Sequence, residues 1–212
     1  MPTHVVQQGE CFATIARDHG FRRDTLYDHP DNADLKKKRP NPNILYPGDE
    51  VAVPELEPKE ANVSTGARHP FTIKVPKREL RLRLLDHAGE PIAGAAYLLE
   101  TEGWRMQGQT SGKGELVERV PCSARTATLT VGERVLVLEC AGINPMSDVP
   151  DEAASGARER LRNLGYDVGD ASTVLDPRTR TAVALFQHEA KIEVTGELDD
   201  TTRSKLASLH RC

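Results

Sequence analysis

Histidine, cysteine and acidic side chains do much of the chemistry in proteins, and in this chain they lack the spacing that such chemistry requires. No His-Glu-x-x-His motif occurs, and none of the seven histidines lies at zinc-ligand spacing from a carboxylate. Asp199 and Asp200 are adjacent, but adjacent residues of a helix do not face each other. Carboxylates from distant parts of the chain could still meet in the fold. The pattern predicts no catalytic residue, no metal ligand and no cofactor, and it favours a protein that is not an enzyme.

A phosphate-binding role is also disfavoured. The dipeptide Gly112-Lys113 suggests a phosphate-binding loop, but no glycine lies five residues earlier, and Gly114 replaces the Ser or Thr that would contact magnesium. The formal net charge is −4, and the basic run Lys36–Arg39 is short enough to be a solvated loop. We therefore expect no nucleotide site and no nucleic-acid partner.

The four cysteines are Cys11, Cys122, Cys140 and Cys212. No pair has the spacing of a zinc knuckle or of a redox-active dithiol, so we expect reduced thiols. A Cys122–Cys140 bridge remains an alternative if the protein reaches an oxidising compartment.

Composition favours several small modules over one deep core. Hydrophobic residues make up 38% of the 212 residues and aromatic residues 4%, while 16 glycines and 14 prolines make turns frequent. No apolar run is long enough to span a bilayer, and the first residues lack the basic start and apolar stretch of a secretion signal. The expectation is a protein made in the cytoplasm without a membrane span.

Residues 1–55 show the order strand, helix, helix, strand. His4-Val5-Val6 is predicted as a short strand, and residues 50–54 as the returning strand. A first helix is predicted to end at Gly20, and a second, near residues 24–29, is predicted to end at Pro30. The apolar face of the first helix comprises Phe12, Ile15, Ala16 and His19.

The residues in this order resemble the LysM family: Val5-Val6 with Gly9-Glu10, then Ile15-Ala16, then Asn43–Gly48 before the last strand. The resemblance implies a βααβ fold that binds N-acetylglucosamine-containing glycans in a shallow groove. The glycan-binding positions it implies are Gly9, Glu10, Cys11, Phe12, Ile44, Leu45 and Tyr46.

Three features depart from that family. Glu10 stands where Asp is usual, Cys11 stands where a small hydroxyl residue is usual, and the segment from Asp28 to Asn43 is longer than typical. The alternative is a module that keeps the fold but docks on protein instead of glycan.

Residues 56–69 are polar and are predicted to be a linker, and residues 70–141 a small antiparallel β-sandwich. Leu80–Leu84 alternates, which directs leucines inward and arginines outward. The other predicted strands are Phe71–Val75, Ala93–Leu99, Trp104–Thr110, Leu116–Val120, Ala127–Val131 and Val135–Leu138.

Two sequence stretches in this segment, Asp86–Ala95 and Gly108–Gly114, resemble the transthyretin-like or carboxypeptidase-regulatory-like sandwich. Such modules act as spacers and docking pieces, and they also occur on spike proteins of contractile injection machines. The resemblance therefore implies a fold and says little about function.

Residues 142–212 show helical periodicity in three stretches. Ala153, Ala157, Leu161 and Leu164 share one face before Gly165. Asp176-Pro177 is a typical helix start, and Asp199 is predicted to cap a third helix. The second helix carries Thr179, Val183, Phe186 and Ala190 on one side, and the third helix is predicted to direct Thr202, Leu206 and Leu209 inward.

These helices resemble the peptidoglycan-binding three-helix domain over about residues 154–209. The resemblance rests on Leu164-Gly165-Tyr166, Asp176–Thr179, Ala182-Val183, Phe186-Gln187 and Thr195–Asp199. It implies a ligand groove along the end of the first helix and along the second helix, with exposed candidates at Tyr166, Asp176, Arg178, Thr179 and Gln187.

Arg178 could pair with a stem-peptide carboxylate, because a planar guanidinium fits a carboxylate at two points. The alternative is that Arg178 is an ordinary surface residue, while Phe186 is expected in the core. The loop after Tyr166 departs from the family, since Asp170–Thr173 replaces its usual Pro-x-Asp-Gly.

The whole chain is thus predicted to be a multidomain α+β protein. Its architecture, together with Tyr27–Ala33 and Arg39–Asn43, resembles peptidoglycan-binding proteins associated with type VI secretion. The resemblance implies a non-enzymatic accessory protein with peptidoglycan as partner, linked to an injection apparatus or its cargo and delivered by it to the periplasm or wall. The alternative is an intracellular adaptor that docks effector or spike proteins and has lost glycan binding.

Overall fold

The structure is a computed structural model that describes residues 2–57, 60, 62–70, 74–140, 142–149, 154–169 and 175–210. The first module is closed by two short antiparallel strands, Thr3–Val5 (β1) and Glu50–Ala52 (β2), with His4 opposite Val51. Between them lie Phe12–Asp18 (α1), Arg23–Tyr27 (α2), a 3-10 helix at Pro30–Asn32, and Ala33–Lys38 (α3).

The predicted apolar face of α1 forms the core of this module. Phe12, Ile15 and Ala16 are buried together with residues of α2, the 41–48 loop and β2. His19 is exposed instead, because α1 ends at Asp18. Gly20 then adopts a φ of +78°, the left-handed conformation that glycine tolerates best after a helix.

The basic run at residues 36–39 is not a loop. Lys36, Lys37 and Lys38 form the last turn of α3, and Arg39 is only 2% exposed. The Arg39 guanidinium donates to both carboxylate oxygens of Asp49, at 2.7 and 3.1 Å. A buried cation needs such a partner, so the expectation of a solvated run is wrong for Arg39.

Residues 77–139 form two antiparallel sheets. Lys77–Arg83 (β3) pairs with Glu115–Pro121 (β6). Ala96–Thr101 (β4), Trp104–Gln109 (β5), Thr126–Val131 (β7) and Arg134–Glu139 (β8) form a four-stranded sheet in the order β5-β4-β7-β8.

The apolar faces of these two sheets pack against each other. Leu116 and Val120 of β6 share one cluster with Leu99 and Leu129 of the four-stranded sheet. Leu80, Leu82 and Leu84 pack against this cluster while Arg81 and Arg83 are exposed, as their alternation predicts. Residues 71–73 of the predicted first strand lie outside the described residues, and Lys74 and Val75 are not in a strand.

The carboxy-terminal module contains Ser155–Asn163 (α4), Pro177–Glu189 (α5) and Asp200–His210 (α6). Its core combines Leu161 of α4, Val183 and Phe186 of α5, and Leu206 of α6. Ala153 and the 170–173 loop lie outside the described residues. Helices and antiparallel sheets both occur, which confirms the α+β class, while the domain boundaries at residues 55, 69 and 141 stay predictions.

Residues 142–149 (the 142–149 segment) contact both the first module and the last module. Gln8 donates to the Gly142 carbonyl and to the Asn144 side chain, and Arg39 donates to the Ser147 and Asp148 carbonyls. On its other side the segment packs on α4. The predicted modules are therefore docked on one another instead of being connected only by free linkers.

Candidate functional site

The turn before α1 and the 41–46 loop, predicted to line a glycan groove, do lie side by side. The Phe12 amide donates to the Pro42 carbonyl at 3.0 Å and so ties the two together. Cys11, Phe12 and Leu45 are buried, whereas Gly9, Glu10, Ile44 and Tyr46 are half-buried. Of these seven residues, Glu10, Ile44 and Tyr46 can offer side-chain surface to a ligand, and Gly9 can offer its backbone.

The Glu10 carboxylate closes this turn. It accepts hydrogen bonds from the Gln7 amide at 2.9 Å and from His4 Nε2 at 2.7 Å. Glu10 therefore already has partners within its own module.

The same turn faces the rest of the protein. The Arg125 guanidinium donates to the Gln8 carbonyl, and the Gln8 side chain bonds Asn144 Oδ1 at 3.1 Å. Cys11 packs with Ala13 against Cys122 of the sheet module. A glycan lying across residues 8–11 would compete with these contacts, so the turn is less open than the resemblance implies.

At the beginning of α5, Asp176 acts as the helix cap. Its carboxylate accepts from the Thr179 amide at 2.9 Å and from Thr179 Oγ1 at 3.0 Å, which lowers the pKa of Asp176. Arg158 of α4 lies 3.4 Å from the same carboxylate and donates to the Val168 carbonyl. Thr179 is fully buried, so the prediction that it is exposed is wrong, because its hydroxyl bonds Val168 inside the module.

Arg178 is exposed, as predicted, but it is not unpaired. Its Nη2 and Nε lie 2.7 and 3.0 Å from the Asp167 carboxylate. Ion pairs in water contribute little to stability because solvent screens them. A carboxylate on a ligand could therefore replace Asp167 at modest free-energy cost.

Tyr166 lies at the opposite end of α5. Its hydroxyl donates to Glu189 Oε2 at 2.6 Å, and its ring packs edge-to-face on Phe186, which is buried as expected. Burial and the neighbouring carboxylate raise the pKa of Tyr166 to about 12. The phenol is therefore a protonated donor at neutral pH.

Gln187 is fully buried, so its predicted exposure is also wrong. Its amide nitrogen lies within hydrogen-bond distance of Thr195 Oγ1, the Glu197 carbonyl and Thr202 Oγ1, and its oxygen accepts from the backbone amides of Thr195 and Gly196. A side chain with this many partners orients the 195–197 loop between α5 and α6. It supports the module from inside.

The five candidates in this module do not form one cluster. Asp176, Arg178 and Thr179 lie at the beginning of α5, and Tyr166 contacts its end at Glu189. The twelve residues from Arg178 to Glu189 span about 16 Å of helix axis. A ligand that contacts both ends must therefore be extended, as a glycan strand or a stem peptide is.

A shallow hollow along α6 was not anticipated. It is lined by Ile192, Asp200, Thr201, Ser204, Lys205 and Ser208. Hydroxyl and ammonium groups of this kind can hydrogen-bond sugar hydroxyls. The recurrence of small polar residues at positions 201, 204 and 208 is helical spacing on the face opposite Thr202 and Leu206, and it is the signal that could have found this surface.

Other kinds of site find little support in the described part of the chain. There, no group of three or more His, Cys, Asp and Glu residues is arranged to hold a metal ion. Among the same residues, no helix combines the length and the apolar character needed to cross a membrane.

Comparison with known proteins gives one match. Residues 151–206 match the family described as "Putative peptidoglycan binding domain". The matched stretch spans α4, α5 and the first half of α6, about a quarter of the chain. No curated protein and no solved structure matches significantly. The match supports a helical peptidoglycan-binding module at this end of the protein.

Proposed function

We propose that this protein is a non-enzymatic accessory protein that holds peptidoglycan through its helical module. The observation that carries the proposal is the family match at residues 151–206, a stretch folded as α4, α5 and the beginning of α6 around a single core. A match to a binding family over this module makes binding the activity to test first.

Within this proposal, Tyr166 and Arg178 are the residues that touch the ligand. The Tyr166 hydroxyl donates to Glu189 and the Arg178 guanidinium to Asp167. Each can exchange that exposed carboxylate for an acceptor on the ligand, which for Arg178 is a stem-peptide carboxylate. Asp176, Thr179 and Gln187 position the helix ends and the 195–197 loop. The α6 hollow is a second surface that the same ligand could reach.

The remaining modules supply the context. Residues 1–55 are proposed to be LysM-like and residues 70–141 transthyretin-like, on the resemblances that their residues carry. The protein would then be made in the cytoplasm and travel with a contractile injection apparatus, such as a type VI secretion system or its cargo, to the periplasm or cell wall. Two weak wall-binding modules on one chain would act together, which raises the overall affinity.

The experiment is cosedimentation of the purified protein with insoluble peptidoglycan sacculi at neutral pH and moderate salt. The intact protein is expected in the pellet, and a chain lacking residues 150–212 in the supernatant. Arg178→Ala should reduce the bound fraction several-fold, whereas Arg134→Ala, an exposed arginine of β8, should leave it unchanged. Intact protein that stays in the supernatant overturns the proposal.

A Lys205→Ala variant separates the two surfaces of the helical module. Loss of binding for Lys205→Ala with normal binding for Arg178→Ala would move the site to the α6 hollow. The reverse pattern would keep it at the beginning of α5.

One observation favours a second candidate, an intracellular adaptor in which the first module has lost glycan binding. The turn at residues 8–11 is engaged by Arg125, Cys122 and Asn144. Titration of the intact protein with soluble N-acetylglucosamine oligomers tests this. Saturable binding by the chain that lacks residues 150–212 would show that the first module binds glycan, and it would contradict the adaptor hypothesis. Absence of binding would support the adaptor hypothesis.

A further inference from the structure

Two cysteines from different modules meet at the interface between the first module and the sheets. Cys11 precedes α1, and Cys122 follows β6. Their side chains form a small cluster with Ala13, and they are 2% and 3% exposed. The pair is 111 positions apart in the sequence, so only the docking of the modules brings it together.

Both cysteines are held by their backbones. The Cys11 amide donates to Thr14 Oγ1 at 2.9 Å, and the Thr14 hydroxyl in turn lies 3.7 Å from Cys11 Sγ. The Cys122 amide donates to the Pro76 carbonyl at 2.9 Å. The backbone before α1 and the backbone after β6 therefore fix the positions of the two cysteines, whose side chains share one cluster.

We propose that Cys11 and Cys122 are a redox-modification site, at which a disulfide-class oxidant such as oxidised glutathione converts the facing thiols into a disulfide between the modules. The inference is independent of peptidoglycan binding. It replaces the Cys122–Cys140 bridge that the sequence left open: Cys11, Cys122 and Cys140 are all free thiols here, and Cys140 directs its sulfur to the Leu138 carbonyl.

The two thiols are not equivalent. The hydrogen bond between them lowers the pKa of Cys11, against the opposing effect of burial, and raises the pKa of Cys122. Cys11 is therefore the more acidic of the two thiols and the one that forms a thiolate more readily. The thiolate is the form of cysteine that attacks a disulfide.

The reaction proceeds in two exchanges. The Cys11 thiolate attacks one sulfur of oxidised glutathione, forms a mixed disulfide and releases one glutathione thiolate. Cys122 then loses its proton, attacks Cys11 Sγ and releases the second glutathione. Two protein thiols lose two electrons and two protons, and one disulfide of the oxidant becomes two thiols. Because both sulfurs are buried, the first attack requires a transient opening of the interface.

The bond would change how the first module is held. In the reduced protein, its docking on the sheets depends on Cys11–Cys122 packing and on hydrogen bonds such as that from Arg125 to Gln8. A covalent link closing a loop of this length restricts the unfolded chain strongly. The oxidised protein should therefore keep its modules docked under conditions that separate them in the reduced protein.

The test uses the full chain with Cys212→Ser, so that pairing between molecules through the carboxy-terminal thiol is removed. The folded protein is equilibrated with oxidised and reduced glutathione, remaining thiols are alkylated, and the products are analysed by mass spectrometry. The expected product carries one alkyl group, on Cys140, where the reduced protein carries three, and it yields one cross-linked peptide pair containing Cys11 and Cys122. Cys140→Ser should give the same product, and Cys122→Ala should not.

The peptide map of the Cys212→Ser protein alone can overturn the proposal, so the test does not depend on how the Cys122→Ala and Cys140→Ser variants fold. A Cys122–Cys140 link, a stable glutathione adduct on Cys11 without the second step, or thiols that stay reduced at high oxidised glutathione would each contradict it. Oxidation in denaturant provides the reference: the Cys11–Cys122 product must be enriched several-fold in the folded protein.

Discussion

Two buried arginines, Arg39 and Arg158, stabilise contacts between segments that are distant in the sequence. Arg39 binds the Asp49 carboxylate and two carbonyls of the 142–149 segment, and Arg158 joins α4 to the cap of α5 and to Val168. A guanidinium suits this role because it presents five donors in a plane. Buried charge is tolerated here because it is paired and hydrogen-bonded.

At the residue scale, Arg39→Met is expected to destabilise the first module by about 3–5 kcal/mol. The substitution leaves Asp49, whose side chain is 4% exposed, as a buried carboxylate without its main partner. Urea denaturation followed by circular dichroism measures the loss. Lys37→Met, on an exposed lysine of α3, is the matched control, and a difference below about 1 kcal/mol between the two variants would contradict the prediction.

Helix capping by Asp176 and Asp199 predicts an acid-sensitive helical module. Hydrogen bonds from the Thr179 and Thr202 amides lower the pKa of both carboxylates below the ordinary value of 3.8. Because folding lowers these pKa values, the two carboxylates stabilise the folded state fully at a pH above 3.8, the ordinary value. That stabilisation is lost as the pH falls through the lower pKa of the folded state. We expect the melting temperature of the module to fall steeply below pH 3.8.

The double variant Asp176→Asn/Asp199→Asn should have a flatter pH profile in the same melting experiment. Glu193→Gln, on an exposed acidic residue of the same module, should retain the slope of the unmodified protein. Equal slopes for all three proteins would contradict the capping explanation.

At the scale of elements, the close contact between α4 and the 142–149 segment requires a glycine, Gly156, in the first turn of α4. A Cβ atom on Gly156 would lie 2.5 Å from the Asn144 carbonyl oxygen and closer still to that of Pro145. The Arg160 side chain, also buried, bonds the carbonyls of Asn144 and Gly156 across this contact. The segment therefore depends on a glycine in the first turn of the helix.

Gly156→Ala is expected to destabilise the helical module by about 1–3 kcal/mol, since an added methyl group must displace backbone atoms. Thermal melting of the variant measures this. Gly142→Ala is the control, because its Cβ would come no closer than 4.0 Å to the nearest other atom. A stabilised or unchanged Gly156→Ala protein would show that the contact between α4 and the segment is not close-packed.

At the scale of the whole molecule, each of the three modules has its own apolar core among the residues that the structure describes. The accessible surface is 13765 Å², whereas a compact monomer of 23.3 kDa would have about 9,700 Å². The difference indicates that the modules keep most of their own surfaces. Their relative positions depend on a few polar contacts, of which Arg125–Gln8 and Gln8–Asn144 are two.

Arg125→Ala should therefore loosen the first module without unfolding it. Amide hydrogen exchange at residues 7–12 is expected to become several-fold faster, while exchange in the cores of the sheets stays unchanged. Arg134→Ala, the exposed arginine used above, should leave residues 7–12 as slow as in the unmodified protein. Unchanged exchange in Arg125→Ala would mean that other contacts are sufficient to dock the module.

Local sequence patterns predicted most of the helices and strands, but they predicted few of the contacts that the side chains make. The alternation at Leu80–Leu84, the capping residue Asp176 and the burial of Phe186 follow from periods and propensities that a short stretch of chain expresses. Arg39 could not be placed this way, because its burial depends on Asp49 and on carbonyls more than a hundred residues away.

The sequence by itself determined the α+β class, most of the apolar positions of the helices and strands, and the resemblance that points to peptidoglycan. His19 and Leu209, predicted to lie on apolar or inward faces, are exposed. Only the tertiary structure decided that Thr179 and Gln187 are buried supports, that Cys11 faces Cys122, and that the modules are docked. The reason is physical: an element forms from interactions over a few residues, whereas the partner of a side chain is selected when distant segments compete for the same buried space.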